Sequence, residues 1–309
     1  MSGELFSHKV KAESAEGITG KKKCDAALLG MLLYCRELSG DKILFQTENR
    51  DVRDLFIRLV THAAGEGTVS LTTQKRKNRP SLYSMRMRDK AAIQKLFERV
   101  GIKSLPETRS LAGAPTVSDK NLGAFSAGVF LSCGSVVEPQ KGYHLEFVTP
   151  TFELCRDLGT MFSERIGIEG RLMTRRSAYV LYFKESEHIE DILTLIGAQR
   201  SSLELMNVKI FKDIRNRVNR ATNCDTANLG RQNRSAQRQI EAIRKIEASE
   251  GGLSKLPQEL EDLARLRLEN PDMSLNELMN VVNPPISRSG LNHRLARIEE
   301  IAKDLENNA

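Results

Sequence analysis

A run of small and apolar residues in the middle of the chain, SAGVFLSCGSV at 126–136, constrains the fold more than any other stretch. Small residues, among them Gly128, alternate there with bulky ones, which predicts a buried helix that lets another backbone approach closely. A glycine inside a helix costs about 1 kcal/mol relative to alanine, so its presence indicates tight packing. A weaker copy, ALLGMLLYCR, occupies 27–36 and contains Gly30. We expect these two segments to pack against each other as a pair of helices.

The similarity between the two copies continues downstream. YSMRMRDKAAIQKLFERVGI at 83–102 aligns without a gap with YVLYFKESEHIEDILTLIGA at 179–198, and apolar residues fall on apolar residues. Each copy reads as helix, strands, helix, strands, helix, about a hundred residues from its twin. The sequence therefore predicts an α+β fold of two αββαββα halves about a pseudo-twofold axis, followed by an all-α domain. The predicted segments are an N-terminal segment (1–20), a first half (21–105), a linker (106–119), a second half (120–200), a basic helical connector (201–252) and a C-terminal domain (253–309).

The C-terminal domain reads as three short helices. The first is stopped by Asn270-Pro271, Ser274 begins the second with Glu277 completing a capping box, and Ser287 begins the third after a Pro-Pro break. A tight break before a third helix predicts a helix-turn-helix at about 273–306. The residues expected to face inward from the first helix are Leu260, Leu263, Ala264, Leu266 and Leu268.

Charge placement favours a DNA-binding version of this motif. The domain is acidic overall, yet 287–297 contains three arginines and no acid. Recognition helices use their N-terminal residues on base edges. A three-helix bundle without a DNA role remains the alternative. The candidate DNA-binding residues are Ser274, Ser287, Arg288, Ser289, Asn292, His293, Arg294 and Arg297.

Two other basic segments are candidates for contacts with DNA phosphates. One is a hairpin of the first half and the other is the helical connector. A solvated hairpin and a connector packed on a neighbouring element are the alternatives. The candidate residues are Lys75, Arg76, Lys77 and Arg79 in the hairpin and Arg217, Arg220, Arg231 and Arg234 in the connector.

The repeated helix resembles the LAGLIDADG helix of homing endonucleases, with Cys35 and Cys133 at the position of the final acid. In that family the acids hold a divalent metal at the scissile phosphate, which requires hard oxygen ligands. A thiolate is a poor ligand for Mg²⁺. The resemblance therefore implies the saddle-shaped scaffold without the cleavage chemistry: not an enzyme, with no metal and no cofactor. An active nuclease would need acids where these cysteines stand.

The chain as a whole resembles the WhiA family of sporulation and cell-division regulators of Gram-positive bacteria. The shared segments are SAGVFLSCGSV, YHLEF at 143–147, NRATNCDTANL at 219–229, and the C-terminal ENPDMSLNEL and PPISRSGLNHRL. This resemblance implies a sequence-specific DNA-binding protein in transcription, cell division, chromosome segregation or sporulation. The alternative is an interaction module that binds a sigma factor or another regulator through the saddle.

Composition agrees with a polyanionic partner. The formal net charge is +7, which favours double-stranded DNA, though weakly. No signal peptide opens the sequence, no apolar run reaches the roughly 18–20 residues of a membrane span, and the five cysteines are scattered. We therefore expect a cytoplasmic, nucleoid-associated protein with reduced thiols and no membrane partner.

Overall fold

A computed structural model describes residues 6–77, 79–105, 109–111, 114–176 and 178–307 of the chain. It forms two compact units, Met1–Lys212 and Asp213–Ala309. The division falls inside the predicted connector 201–252. Part of the predicted linker 106–119 lies outside the described residues. Within the described part of the chain, no helix is long and apolar enough to span a membrane.

The first unit contains the predicted duplication. Each half has the element order αββαββα, and each sheet has four antiparallel strands in the same spatial order, first, second, fourth, third. The elements are α1 (Phe6–Glu16) before the repeats; α2 (Lys21–Leu33), β1 (Glu37–Leu38), β2 (Ile43–Thr47), α3 (Arg50–Ala64), β3 (Ser70–Arg76), β4 (Arg79–Met87) and α4 (Lys90–Val100) in the first half; α5 (Asp119–Cys133), β5 (Gly134–Val136), β6 (Leu145–Thr149), α6 (Phe152–Ile166), β7 (Arg171–Arg175), β8 (Ala178–Phe183) and α7 (Ser186–Leu195) in the second.

Equivalent helices of the two halves begin with equivalent caps. The side chain of Asn49 accepts a hydrogen bond from Val52 N at 3.1 Å at the start of α3, and Thr151 Oγ1 accepts one from Leu154 N at 3.3 Å at the start of α6. Such caps satisfy amide groups that have no partner inside the helix. Local sequence therefore determines where both helices begin.

The two small-residue helices pack against each other as predicted. A Cβ atom built on Gly30 would lie 2.4 Å from the carbonyl oxygen of Phe125, and one built on Gly128 would lie 2.0 Å from that of Ala27. Only glycine permits this approach of α2 and α5. The paired helices lie in one hydrophobic core shared by both halves.

The helix predicted within 126–136 begins earlier, at Asp119, and stops before Gly134, a residue type that favours helix ends. α5 ends at Cys133, and Gly134–Val136 forms β5, in which Gly134 pairs with Phe147 of β6. Gly134 adopts extended backbone angles, and a Cβ there would lie 2.2 Å from the ring of Phe130. The chain therefore turns from helix to strand directly after the cysteine.

The predicted connector is part of a single helix, α8 (Gln199–Ala248), which begins in the first unit and ends in the second. In the second unit, Ile243 and Ile246 of α8 are buried in the same core as the three C-terminal helices. Those helices are α9 (Gln258–Glu269), α10 (Leu275–Val281) and α11 (Arg288–Asn307).

One inward position of α9 differs from the expectation. Leu260, Leu263 and Ala264 are buried as predicted, but the fourth buried residue is Arg267, while Leu266 and Leu268 are half-buried. An α-helix has 3.6 residues per turn, so Arg267 is the next residue after Leu263 and Ala264 that faces the core.

Candidate nucleic-acid interface

The N-terminal part of α11 presents a polar face opposite a buried one. Leu291 and Leu295 are at most 1% exposed. The four predicted base-reading residues Arg288, Ser289, Asn292 and His293 are all exposed. The side chains that can act as donors or acceptors therefore lie on the outer face of the helix, which is the arrangement a recognition helix requires.

Two of the three serines in the predicted set, Ser274 and Ser287, serve as helix caps. Ser274 Oγ accepts a hydrogen bond from Glu277 N at 3.3 Å, and Glu277 Oε2 accepts one from Ser274 N at 2.7 Å, which completes the capping box. This contact lowers the pKa of the Glu277 carboxyl. Ser287 Oγ accepts from Gly290 N at 3.1 Å at the start of α11. Ser274 thus determines where α10 begins, and Ser287 determines where α11, which carries the polar face, begins.

The last two predicted residues of α11 are engaged in ion pairs. Arg294 lies 2.6 Å from a carboxylate oxygen of Glu259 in α9. Arg297 pairs with Glu300 one turn further along its own helix. Arg294 therefore joins α11 to α9, and the freely exposed cation nearest the start of the recognition helix is Arg288.

The candidate arginines of α8 all lie on its solvent-exposed surface. Arg217, Arg220, Arg231 and Arg234 are exposed, and Arg231 donates to Asn228 Oδ1 at 2.8 Å. These exposed side chains can contact a polyanion without disturbing the core.

Of the four candidate cations in the basic hairpin of the first half, one contacts other protein groups and three are exposed. Arg76 donates to the carbonyl oxygen of Pro80 at 2.6 and 2.9 Å and lies 2.7 Å from Glu48. Lys75, Lys77 and Arg79 are exposed. Arg76 therefore holds the hairpin together, and the other three remain candidates for phosphate contacts.

Cys35 and Cys133, which occupy equivalent positions of the repeat, line one cavity of about 680 Å³ in the first unit. Burial raises the pKa of the Cys35 thiol to about 12, and burial also raises the pKa of Cys133. Arg36 and Arg109 line the same cavity, and none of its described lining residues is an acid. Protonated thiols beside two guanidinium groups do not fit a divalent cation that prefers carboxylate oxygen.

Similarity to known proteins covers almost the whole chain. A protein of Clostridium botulinum strain Hall named "Probable cell division protein WhiA" is 36% identical over 316 residues, which cover 97% of this chain and 98% of that protein. The chain belongs to the WhiA family. A relative of the same name from Clostridium perfringens strain SM101 is 37% identical over 313 residues, with the same shares covered.

The two units correspond to the two parts of WhiA proteins. The family model described as the WhiA LAGLIDADG-like domain matches residues 122–215, and the model described as the WhiA C-terminal HTH domain matches residues 218–302. The crystal structure of full-length DUF199/WhiA from Thermatoga maritima is similar with a TM-score of 0.60 and 25% identity, covering 97% of this chain and 99% of that one. The predicted α+β LAGLIDADG-like fold with a helix-turn-helix is confirmed.

Two arginines at buried or cavity-lining positions were not predicted from the sequence. Arg109, in the predicted linker, donates to the carbonyl oxygen of Cys35 at 2.6 Å in the cysteine cavity. Arg267 takes an inward position in α9. The position of Arg267 on the apolar face of α9 could have indicated its burial. Nothing near Arg109 in the sequence connects it to Cys35.

Proposed function

We propose that this WhiA-family protein is a sequence-specific DNA-binding protein, a transcriptional regulator in cell division, chromosome segregation or sporulation of a Gram-positive bacterium. It acts in the cytoplasm at the nucleoid, and its partner is double-stranded DNA. The exposed, acid-free start of α11 carries this proposal, because it leaves Arg288 and Asn292 on the face opposite the core. Arginine pairs bidentately with guanine and asparagine with adenine.

We also infer that the LAGLIDADG-like unit has lost nuclease activity. The position that would hold the metal carries two thiols and two arginines, and no acid lies among its described lining residues. The exposed hairpin cations Lys75, Lys77 and Arg79 and the arginines of α8 support a role in holding the DNA backbone.

The test of sequence reading compares two variants of α11 with a control on the same helix. Arg288→Ala and Asn292→Ala should each lower affinity for a genomic target by tenfold or more, since each base contact contributes about 1–3 kcal/mol of discrimination. Affinity for random duplex and thermal stability should stay nearly unchanged. Lys303→Ala, which removes an exposed cation beyond the polar face, should leave both affinities in place. An equal fall on both DNAs would show that these residues only contact the backbone.

One observation favours a second candidate function for the first unit, the binding of a sigma factor or another regulator. Leu71 of β3 and Leu172 and Met173 of β7 are 43–48% exposed. Leu71 pairs with Met85 and Leu172 with Leu181, so the two leucines occupy equivalent positions of the repeat. The exposure of apolar side chains at matching places on two sheets is the observation that supports a protein-binding surface.

A further inference from the structure

Arg267 is a buried cation without a carboxylate partner. Its side chain lies in the second unit and is 2% exposed. Nη1 donates to the carbonyl oxygen of Met273 at 2.5 Å, while Nε has no hydrogen-bond partner in the described structure. Arginine is almost never fully buried unless it is paired. Burial lowers its pKa, and although the charge of Asp272 opposes this, no ion pair joins the two among the described residues.

This arginine lines a cavity of about 180 Å³ together with two more arginines. Arg231 of α8 and Arg288 at the start of α11 contribute to the wall, and none of the described lining residues is acidic. The cavity is several times larger than the roughly 30 Å³ that one water molecule occupies in the liquid. Guanidinium groups that line such a space can bind an oxyanion, which arginine holds through paired N–H groups.

A second polar side chain in the same wall has an unmatched atom. Gln239 is 3% exposed, its Nε2 donates to Ser235 Oγ at 3.2 Å, and its Oε1 has no partner in the described part of the chain. The two ends of a glutamine amide exchange by a half-turn. Ser235 can then donate to the amide oxygen while the amide nitrogen turns into the cavity. In that orientation Gln239 can add an amide donor to the cavity.

We propose that this cavity binds a phosphate group, held by Arg267, Arg231 and Gln239, and that the group is a backbone phosphate of the bound duplex. The proposal rests on the proposed function, because Arg288, which also lines the cavity, begins the face of α11 that reads bases. A phosphate anchored at Arg267 determines how α11 lies in the groove, since backbone contacts set the register of a DNA-binding protein.

The competing explanation is that Arg267 only fixes the loop between α9 and α10 through the carbonyl of Met273. Gln239→Glu separates the two, because it places a carboxylate in the cavity where the phosphate would lie. A purely structural Arg267 gains an internal ion pair, so the protein melts at the same or a higher temperature and binds DNA as before. A phosphate-binding Arg267 is occupied by the new carboxylate, and DNA binding weakens.

The experiment measures thermal unfolding in chloride and in inorganic phosphate at matched ionic strength, and DNA affinity as a function of salt, for the full chain. Phosphate should raise the melting temperature of the wild type, as a ligand of the native state does. Gln239→Glu should abolish that increase, lower affinity for target and random duplex alike on the order of tenfold, and reduce the salt slope by about 0.9. Gln237→Glu, an exposed change of equal charge two residues away in α8, should keep the phosphate effect and the slope.

If Gln239→Glu fails to fold, Arg231→Gln at the exposed mouth provides the same readouts without touching the core. Unchanged DNA affinity and slope in the folded variant would overturn the proposal. A phosphate effect that disappears while DNA binding persists would show that the cavity holds free phosphate and would overturn the backbone assignment. Failure of the proposed function has a different signature: the wild type would bind target and random duplex equally while the phosphate effect remains.

Discussion

Gly30 and Gly128 set the distance between the two halves of the first unit. Each lies against backbone of the opposite helix, where a side chain of any size would meet a carbonyl oxygen. Their cost in helix propensity is offset by the contact between α2 and α5 that they permit. Gly230 in α8 has no such neighbour, since a Cβ there would meet nothing within 4 Å.

Gly128→Ala should therefore destabilise the first unit. Its Cβ would lie 2.0 Å from the carbonyl oxygen of Ala27, so we expect a loss at or above the upper end of the roughly 1–3 kcal/mol typical of overpacking. The measurement is the unfolding free energy from denaturant titration. Gly230→Ala is the control, which should gain up to about 1 kcal/mol from helix propensity. Equal effects of the two substitutions would contradict the close approach of α2 and α5.

At the scale of elements, the hairpin β3–β4 combines a structural arginine with exposed cations. Arg76 satisfies the carbonyl of Pro80 and pairs with Glu48, so it belongs to the hairpin. The side chains of Lys75, Lys77 and Arg79 are exposed, and we expect the turn to form without them. The hairpin can therefore be neutralised without removing the residue that holds it together.

Replacing Lys75, Lys77 and Arg79 with Gln should weaken binding to every duplex alike. Each lost phosphate contact should lower the slope of log affinity against log salt by about 0.9. The matched control replaces Lys21, Lys22 and Lys23, three exposed lysines at the start of α2, and should leave the slope unchanged. An unchanged slope in the hairpin variant would remove the first unit from the DNA interface and favour its role as a protein-binding surface.

At the scale of the whole molecule, the cysteine cavity exists only because the chain is duplicated. Each half contributes one thiol, and Arg109 from between the halves adds a positive charge. A single half would supply only one side of the cavity. The absence of an acid among the described lining residues of this cavity is thus a property of both copies together.

The intact protein should leave supercoiled and linear DNA uncut in Mg²⁺ or Mn²⁺. The reason is that the cavity offers protonated thiols and guanidinium groups in place of carboxylates. Gel electrophoresis over a titration of each metal measures this. Metal-dependent cleavage that persists when Cys35 and Cys133 are both replaced by Ala would mean that the acids responsible lie elsewhere.

The sequence by itself determined the features that depend on neighbours a few residues apart. The repeat of small residues predicted the pairing of α2 with α5, and the Ser274–Glu277 capping box and Ser287 predicted where α10 and α11 begin. These features can be recognised from the sequence alone because helix periodicity and capping act over three to four residues. The duplication also predicted that both halves have the same order of helices and strands along the chain.

Only the tertiary structure decided which distant residues share a cavity. Arg109 reaches Cys35 across 74 positions of the chain, and Arg231, Arg267 and Arg288 come from three different helices. The change from helix to strand after Cys133 also depends on β6 accepting Gly134 as a neighbour. Such contacts form when packing closes long loops, and their free energy depends on burial that no local pattern of residue types records.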